Sequence, residues 1–170
     1  MTTDAVHGTT RWMEPVLLAA VAAVIFVADQ ATKALVAGGI VLNERVSVVG
    51  DLVQLWHVRN SGAAFSLFQG GTLLFLVVTV VAIGMIVYFH RIFRGRSPWL
   101  QVLLGVILGG TAGNLVDRLR FGYVTDFLSI GVGDVRWPVF NVADSSVVVG
   151  IGLLVIYLFV TDRGRREIRA

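Results

Sequence analysis

Four aspartates are the residues of this chain best able to do chemistry. Asp29 stands in Asp29-Gln-Ala-Thr-Lys33, Asp117 just before Arg118, Asp126 in Val124-Thr-Asp-Phe-Leu128 and Asp144 in Asn141-Val-Ala-Asp144. Two carboxylates within hydrogen-bond reach cannot easily both ionise, so one pKa rises and the pair shares a proton. One member then acts as base on a water while the other, protonated, polarises a carbonyl. That is aspartic peptidase chemistry, and it calls for no cofactor. Asn60, Asn114 and Asn141 can hydrogen-bond a peptide backbone or hold a carboxylate. Cysteine is absent, so thiol nucleophiles, disulfides and thiolate metal sites are excluded. His7, His57 and His90 are far apart and no HExxH occurs, so no metal site is expected. Serine catalysis has little support: the only lysine, Lys33, lies four residues from Asp29, and there is no GxSxG elbow.

Each acid also has a plainer reading. Asp29 and Lys33 are spaced i,i+4 and can form a local ion pair. Asp117 ends a helical pattern, where its charge opposes the helix dipole and needs a partner such as Arg118. Asn141 and Asp144 have the spacing of an N-cap and its third-position acid. Asp126 could be a solvated loop residue, but Val124, Phe127, Leu128 and Ile130 around it are apolar.

The elements that must position these residues follow from hydropathy. The 170 residues are 56% hydrophobic and 15% charged, with mean hydropathy +0.80. A soluble domain carries about 25% charged residues, so an ordinary cytosolic domain and a disordered chain are excluded. The 14 basic and 11 acidic residues nearly balance, and no nucleic-acid partner is expected. A helical span needs about 20 mostly apolar residues. Four stretches qualify, at about 15–36, 72–89, 98–116 and 142–160. The first is too long in its apolar run, and too polar after it, for a cleaved signal peptide.

Basic residues in short links mark the cytoplasmic side. The link His90–Arg96 has three arginines and no acid, and the C-terminal tail is rich in arginine. Both are expected inside, and an even number of spans then puts the N-terminus inside too. The links at about 37–71 and 117–141 face outward. All four acids thereby gather near the outer membrane surface. Ionisable groups near hydrocarbon are expensive, about 2.5–3.5 kcal/mol each at a helix centre on insertion scales, so four at one level mark a functional site.

The first outer link predicts a β-hairpin, with strands at Val46–Val49 and Leu52–Val58 about a two-residue Gly50-Asp51 turn. The 61–71 segment after it could lie in the membrane interface and close over a substrate. Gly105, Gly109 and Gly113 give the third span a smooth face for another helix, with a substrate able to use only its outer end near Asn114. The fold class is an all-α membrane protein of four transmembrane helices, with a small extracytoplasmic β-hairpin and an interfacial segment, in one domain over residues 1–170.

Five blocks in order now carry a resemblance. They are Asp29-Gln-Ala-Thr-Lys33, Asn60-Ser-Gly-Ala-Ala-Phe-Ser66, Gly109-Gly-Thr-Ala-Gly-Asn-Leu-Val-Asp-Arg118, Gly122-Tyr-Val-Thr-Asp-Phe127 and Phe140-Asn-Val-Ala-Asp-Ser145. On four spans of this orientation the chain resembles the lipoprotein signal peptidases (signal peptidase II), aspartic peptidases of the bacterial inner membrane. The resemblance implies removal of signal peptides from diacylglyceryl-modified prolipoproteins, cutting before the lipidated cysteine. It implies Asp126 and Asp144 as the catalytic pair. Asp117 is the competitor, assigned with Arg118 to support. Asn60, Gly62, Asn114, Arg118, Asn141 and Ala143 match positions lining the substrate groove, and Asp29 and Lys33 match supporting positions. No cofactor or metal is implied, the partners are prolipoprotein and membrane lipid, and the chain is expected to act as a monomer. Segment 130–137 aligns with no motif. Our further expectation is that Asp144, at a helix N-terminus, ionises first and Asp126 holds the shared proton.

The rival classes are a transporter and a structural subunit. Intramembrane acids also mark ion pathways, but these cluster at one face, and no interrupted helices suggest inverted repeats. A structural subunit would tolerate Asp126→Asn and Asp144→Asn.

Overall fold

The computed structural model describes residues 4–62, 72–94 and 97–167. Four long helices are α1 (Asp4–Gly39), α2 (Thr72–Phe93), α3 (Pro98–Phe121) and α4 (Val142–Glu167). Each is long and apolar enough to cross a membrane. They outrun the hydropathy spans, because a helix continues into its polar flanks while its backbone bonds are met. Asp117 accordingly lies inside α3, one turn before its end, and not beyond it. Gly122 closes that helix in the left-handed region, φ 76°, its N–H donating to the Arg118 carbonyl at 3.0 Å.

α3 is the central helix, packed against α1, α2 and α4. Its glycines explain how. A Cβ at Gly105 would lie 2.7 Å from the Leu18 carbonyl oxygen, and one at Gly109 2.5 Å from that of Ala22. Gly110 meets Ala143 of α4 in the same way. Backbones can approach this closely only where side chains are missing. Gly113, at the outer end of the stripe, is covered by the Asp29 carboxylate. Toward the N-terminal end of α3, Leu100, Leu104 and Ile107 bury themselves with Ile86 of α2. The α2 and α4 backbones do not approach each other closely among the described residues.

The strands form one antiparallel sheet in the order β1 (Arg45–Val49), β2 (Val53–Asn60), β3 (Val124–Val132) and β4 (Val135–Arg136). The expected hairpin is β1–β2. Its loop has three residues, 50–52, and not two: Val49 pairs with Val53, and the Leu52 N–H donates to the Val49 carbonyl at 3.0 Å. β3 and β4 are absent from the sequence reading. They join through the two-residue turn Gly133-Asp134, with Gly133 at φ 55°. Segment 130–137 is thus a second hairpin, docked on the tip of the first. Arg136 binds the Asp51 carboxylate at 3.0 Å, and the Gly133 N–H donates to the same carboxylate. That N–H bond chiefly, with the Arg136 charge beside it, holds the Asp51 carboxyl below the usual carboxylate range. Of the 61–71 segment, only Ser61 and Gly62 fall within the described residues.

Candidate active site

Asp126 lies on β3, 2% exposed, in register with Val58 of β2. Its Oδ2 accepts the Asn60 side-chain N–H at 2.8 Å and its Oδ1 that of Asn141 at 2.7 Å. Asn60 is itself oriented by Gly62. That glycine, at φ 88°, folds the chain back so that its N–H donates to Asn60 Oδ1 at 2.9 Å. The Asn60 amide is left with its NH2 toward Asp126. Burial pushes the Asp126 carboxyl up to about 6. The Asp144 charge adds to the rise, while the Asn60 and Asn141 bonds and the Lys33 charge oppose it.

Asp144 enters on the first turn of α4. Asn141 Oδ1 accepts the Asp144 N–H at 2.9 Å, and Asp144 Oδ2 accepts the Asn141 N–H at 3.3 Å. This is the reciprocal cap that the spacing suggested. The other oxygen, Oδ1, accepts the Asn114 side-chain N–H at 2.7 Å. Capping and membership of the site are therefore not alternatives: one carboxylate does both.

The two acids make no hydrogen bond to each other among the described residues. They are joined through asparagines, with Asn141 Nδ2 also 3.2 Å from Asn114 Oδ1. The run Asp126–Asn141–Asn114–Asp144 is continuous. Amide N–H donors fill the positions where two like charges would otherwise meet, which relieves their repulsion.

A buried ion cluster supports this run. Lys33 is 2.8 Å from Asp29 and 3.0 Å from Asp117, and donates to Asn114 Oδ1 at 2.9 Å. The local Asp29–Lys33 pair is present, but it belongs to a network that spans α1 and α3. Asp117 takes its close ion pair from Lys33, 84 residues back in sequence and not adjacent to it as Arg118 is. Arg118 donates to the Asn114 carbonyl at 3.4 Å and lies within electrostatic reach of Asp144, Asp126 and Asp117. Ala143, fully buried, donates its N–H to Asp29 Oδ1 at 2.9 Å.

All the residues singled out from sequence thus converge on one end of the bundle. Gln30 is a member that the sequence reading misses. Its amide bridges Asp29 at 3.2 Å, Asp117 at 2.9 Å and the Gly113 carbonyl at 3.3 Å. The signal is there, since Gln30 is a polar residue between Asp29 and Lys33 in a largely apolar span. A cavity of about 240 Å³ opens beside Asp144, Asn114 and Arg118. Its far wall is Val78, Thr79 and Ala82 of α2, opposite Asp144, Val147 and Val148 of α4. Among the described residues no group of three or more His, Asp or Glu is placed to hold a metal.

Fold and site define a four-helix membrane protein with buried acids gathered beside a small sheet. Residues 21–160 match the family described as signal peptidase (SPase) II, and the chain belongs to that family of membrane peptidases. It is 41% identical to the lipoprotein signal peptidase of Halothermothrix orenii over 140 residues, 82% of this chain and 93% of that one. It is 49% identical to the one from Mycobacterium leprae over 148 residues, covering 82% and 70%. A solved bacterial membrane enzyme superposes with a TM-score of 0.74 at 28% identity, covering 85% of this chain and 88% of that one.

Proposed function

We propose that this chain removes signal peptides from diacylglyceryl-modified prolipoproteins just before the lipidated cysteine, with Asp126 and Asp144 as the catalytic pair. The observation that carries the assignment is the asparagine bridge, which ties Asp126 to Asp144, the acid that lines the cavity, while Asp117 faces Lys33. Each acid accepts two N–H donors, but Asp144 alone sits at a helix N-terminus, which favours its charge, so it is the base. Asp126, with its raised pKa, holds the proton. Asp144 takes a proton from water as the oxygen attacks the scissile carbonyl carbon. Asp126 gives its proton to the carbonyl oxygen. On collapse of the tetrahedral intermediate the C–N bond breaks, the proton on Asp144 passes to the leaving amine, and Asp126 regains its own.

The arginine-rich links support an orientation with both termini cytoplasmic and the sheet end outside. Exposed Trp137 and Phe121 suit a membrane interface at that level. The substrate's acyl chains would hold its scissile bond at the same depth.

The test is cleavage of a diacylglyceryl-modified prolipoprotein by purified protein, beside Asp126→Asn, Asp144→Asn and Asp117→Asn variants of matched folding. Turnover should be lost in the first two and partly retained in the third. Activity that survives Asp126→Asn but not Asp117→Asn would move the second acid to Asp117. No cleavage by folded wild type would defeat the reading.

A further inference from the structure

Each proposed catalytic acid is held through the backbone N–H of the residue just before it. The Ala143 N–H, one residue before Asp144, donates to Asp29 at 2.9 Å. The Thr125 N–H, one residue before Asp126, donates to Asp117 at 3.4 Å, a longer and weaker bond. Two supporting acids from different helices therefore do the same task for two catalytic acids on different elements. Both answer to one cation. An ammonium has three hydrogens, and Lys33 directs them to Asp29 Oδ2, Asp117 Oδ2 and Asn114 Oδ1.

The third contact sets an orientation. Asn114 Oδ1 receives both Lys33 and the Asn141 amide, so Asn114 Nδ2 faces Asp144. A flipped Asn114 amide would turn its N–H groups toward an ammonium and another donor, and would turn a carbonyl oxygen toward a carboxylate. Both contacts are repulsive. Lys33 is 4% exposed, so water does not substitute for it.

We infer that Lys33 is a positioning residue of the reaction: it fixes the backbone ahead of both catalytic acids through Asp29 and Asp117, and it fixes the Asn114 donor to Asp144. The inference rests on the assignment of Asp126 and Asp144 as the pair. Lys33 is buried and bonded to Asp29, Asp117 and Asn114, not to Asp126 or Asp144 among the described residues, so it acts through three other side chains.

Removing Lys33 alone leaves two buried carboxylates without their counterion and threatens the fold. The Lys33→Met/Asp29→Asn double variant removes one charge of each sign, and the amide it introduces keeps an oxygen for the Ala143 N–H. Its kcat should fall by about 100-fold, the scale of a small misplacement of reacting groups, with KM within about threefold. Hydrogen exchange at the Thr125 and Ala143 amides should speed up while α3 stays protected. A second pair isolates one arm. Asp117→Leu, with no oxygen for the Thr125 N–H, should lose about 100-fold in kcat. Asp117→Asn, which keeps an oxygen, should recover most of that loss. A double variant with wild-type kcat, equal losses for Asp117→Leu and Asp117→Asn, or unchanged exchange at both amides would overturn the inference while leaving the pair in place. Turnover surviving Asp126→Asn or Asp144→Asn would instead overturn the assignment of the pair.

Discussion

The two ends of α3 bury different things. Toward its C-terminus, Asn114 and Asp117 are held from three or more sides by side chains and backbone of α1, α4 and β3. Toward its N-terminus, Leu100, Leu104 and Ile107 pack on Ile86, and the side chain of the fully buried Gln101 has a single hydrogen-bond partner among the described residues. Its Oε1 meets His90 Nδ1 at 2.6 Å, while its Nε2 has none among the described residues. Burying a polar group is costly unless it is hydrogen-bonded. At one end that cost is offset bond for bond, and each geometry is fixed several times over. At the other, dispersion and apolar burial suffice, and one orphan donor is tolerated. Redundant polar bonding thus distinguishes the end that must hold atoms in place from the end that only has to cohere.

The glycine stripe runs through both ends and gives the sharpest way to break this contrast. Gly113→Ala would drive a Cβ into the Asp29 carboxylate. We expect turnover to fall by about 100-fold or more in protein that still folds, read as kcat on the lipidated substrate. If Gly113→Ala proved as mild as a change further down the stripe, the contrast would fail. Gly109→Ala puts a Cβ 2.5 Å from the Ala22 carbonyl oxygen and 2.8 Å from Ile25 Cβ. It should destabilise by about 1–3 kcal/mol through overpacking, seen in denaturant unfolding, with kcat of the folded fraction within about threefold.

A pH series probes the polar end by a route independent of turnover. The Asp126 carboxyl is raised from 3.8 to about 6 in the folded protein. Between those values the folded state holds a proton that the unfolded chain has released, so wild-type stability falls as pH rises. Asp126→Asn escapes that loss. Its stability relative to wild type should therefore increase from pH 4 to pH 7, by at most about 3 kcal/mol, and thermal unfolding at several pH values would measure it. A flat or falling difference would mean that Asp126 is charged at pH 4. The smallest effect belongs to the apolar end. Gln101→Leu gives up one bond to His90 and removes the orphan donor, so stability should change by less than about 1 kcal/mol, with kcat unaltered.

Much of this was legible in the sequence, and unevenly so. The four spans follow from hydropathy, because lipid requires long apolar runs. The cap at Asn141 and Asp144 follows from spacing, because its contacts are three residues apart. The strand carrying Asp126 does not. Val124–Val132 gains its neighbour from Val53–Asn60, about 70 residues earlier, and no local signal fixes that register. The partner of Asp117 was out of reach for the same reason. Along the chain Arg118 is the nearest cation; in three dimensions Lys33 is bonded to it. The plainer readings of Asp29 and Asp144 are physically right and still incomplete, since an ion pair and a helix cap can also be parts of a larger network.

The reciprocal cap at the start of α4 has a consequence in time. Asp144 takes its bonds from Asn141, Asn114 and, through Ala143, Asp29, so its setting exists only once α4 has started and docked on α1 and α3. While a nascent chain has been synthesised only as far as β3, it carries Asp126 without its counterpart. If Asp126 and Asp144 are the pair, as proposed, peptidase activity requires that α4 be made and docked.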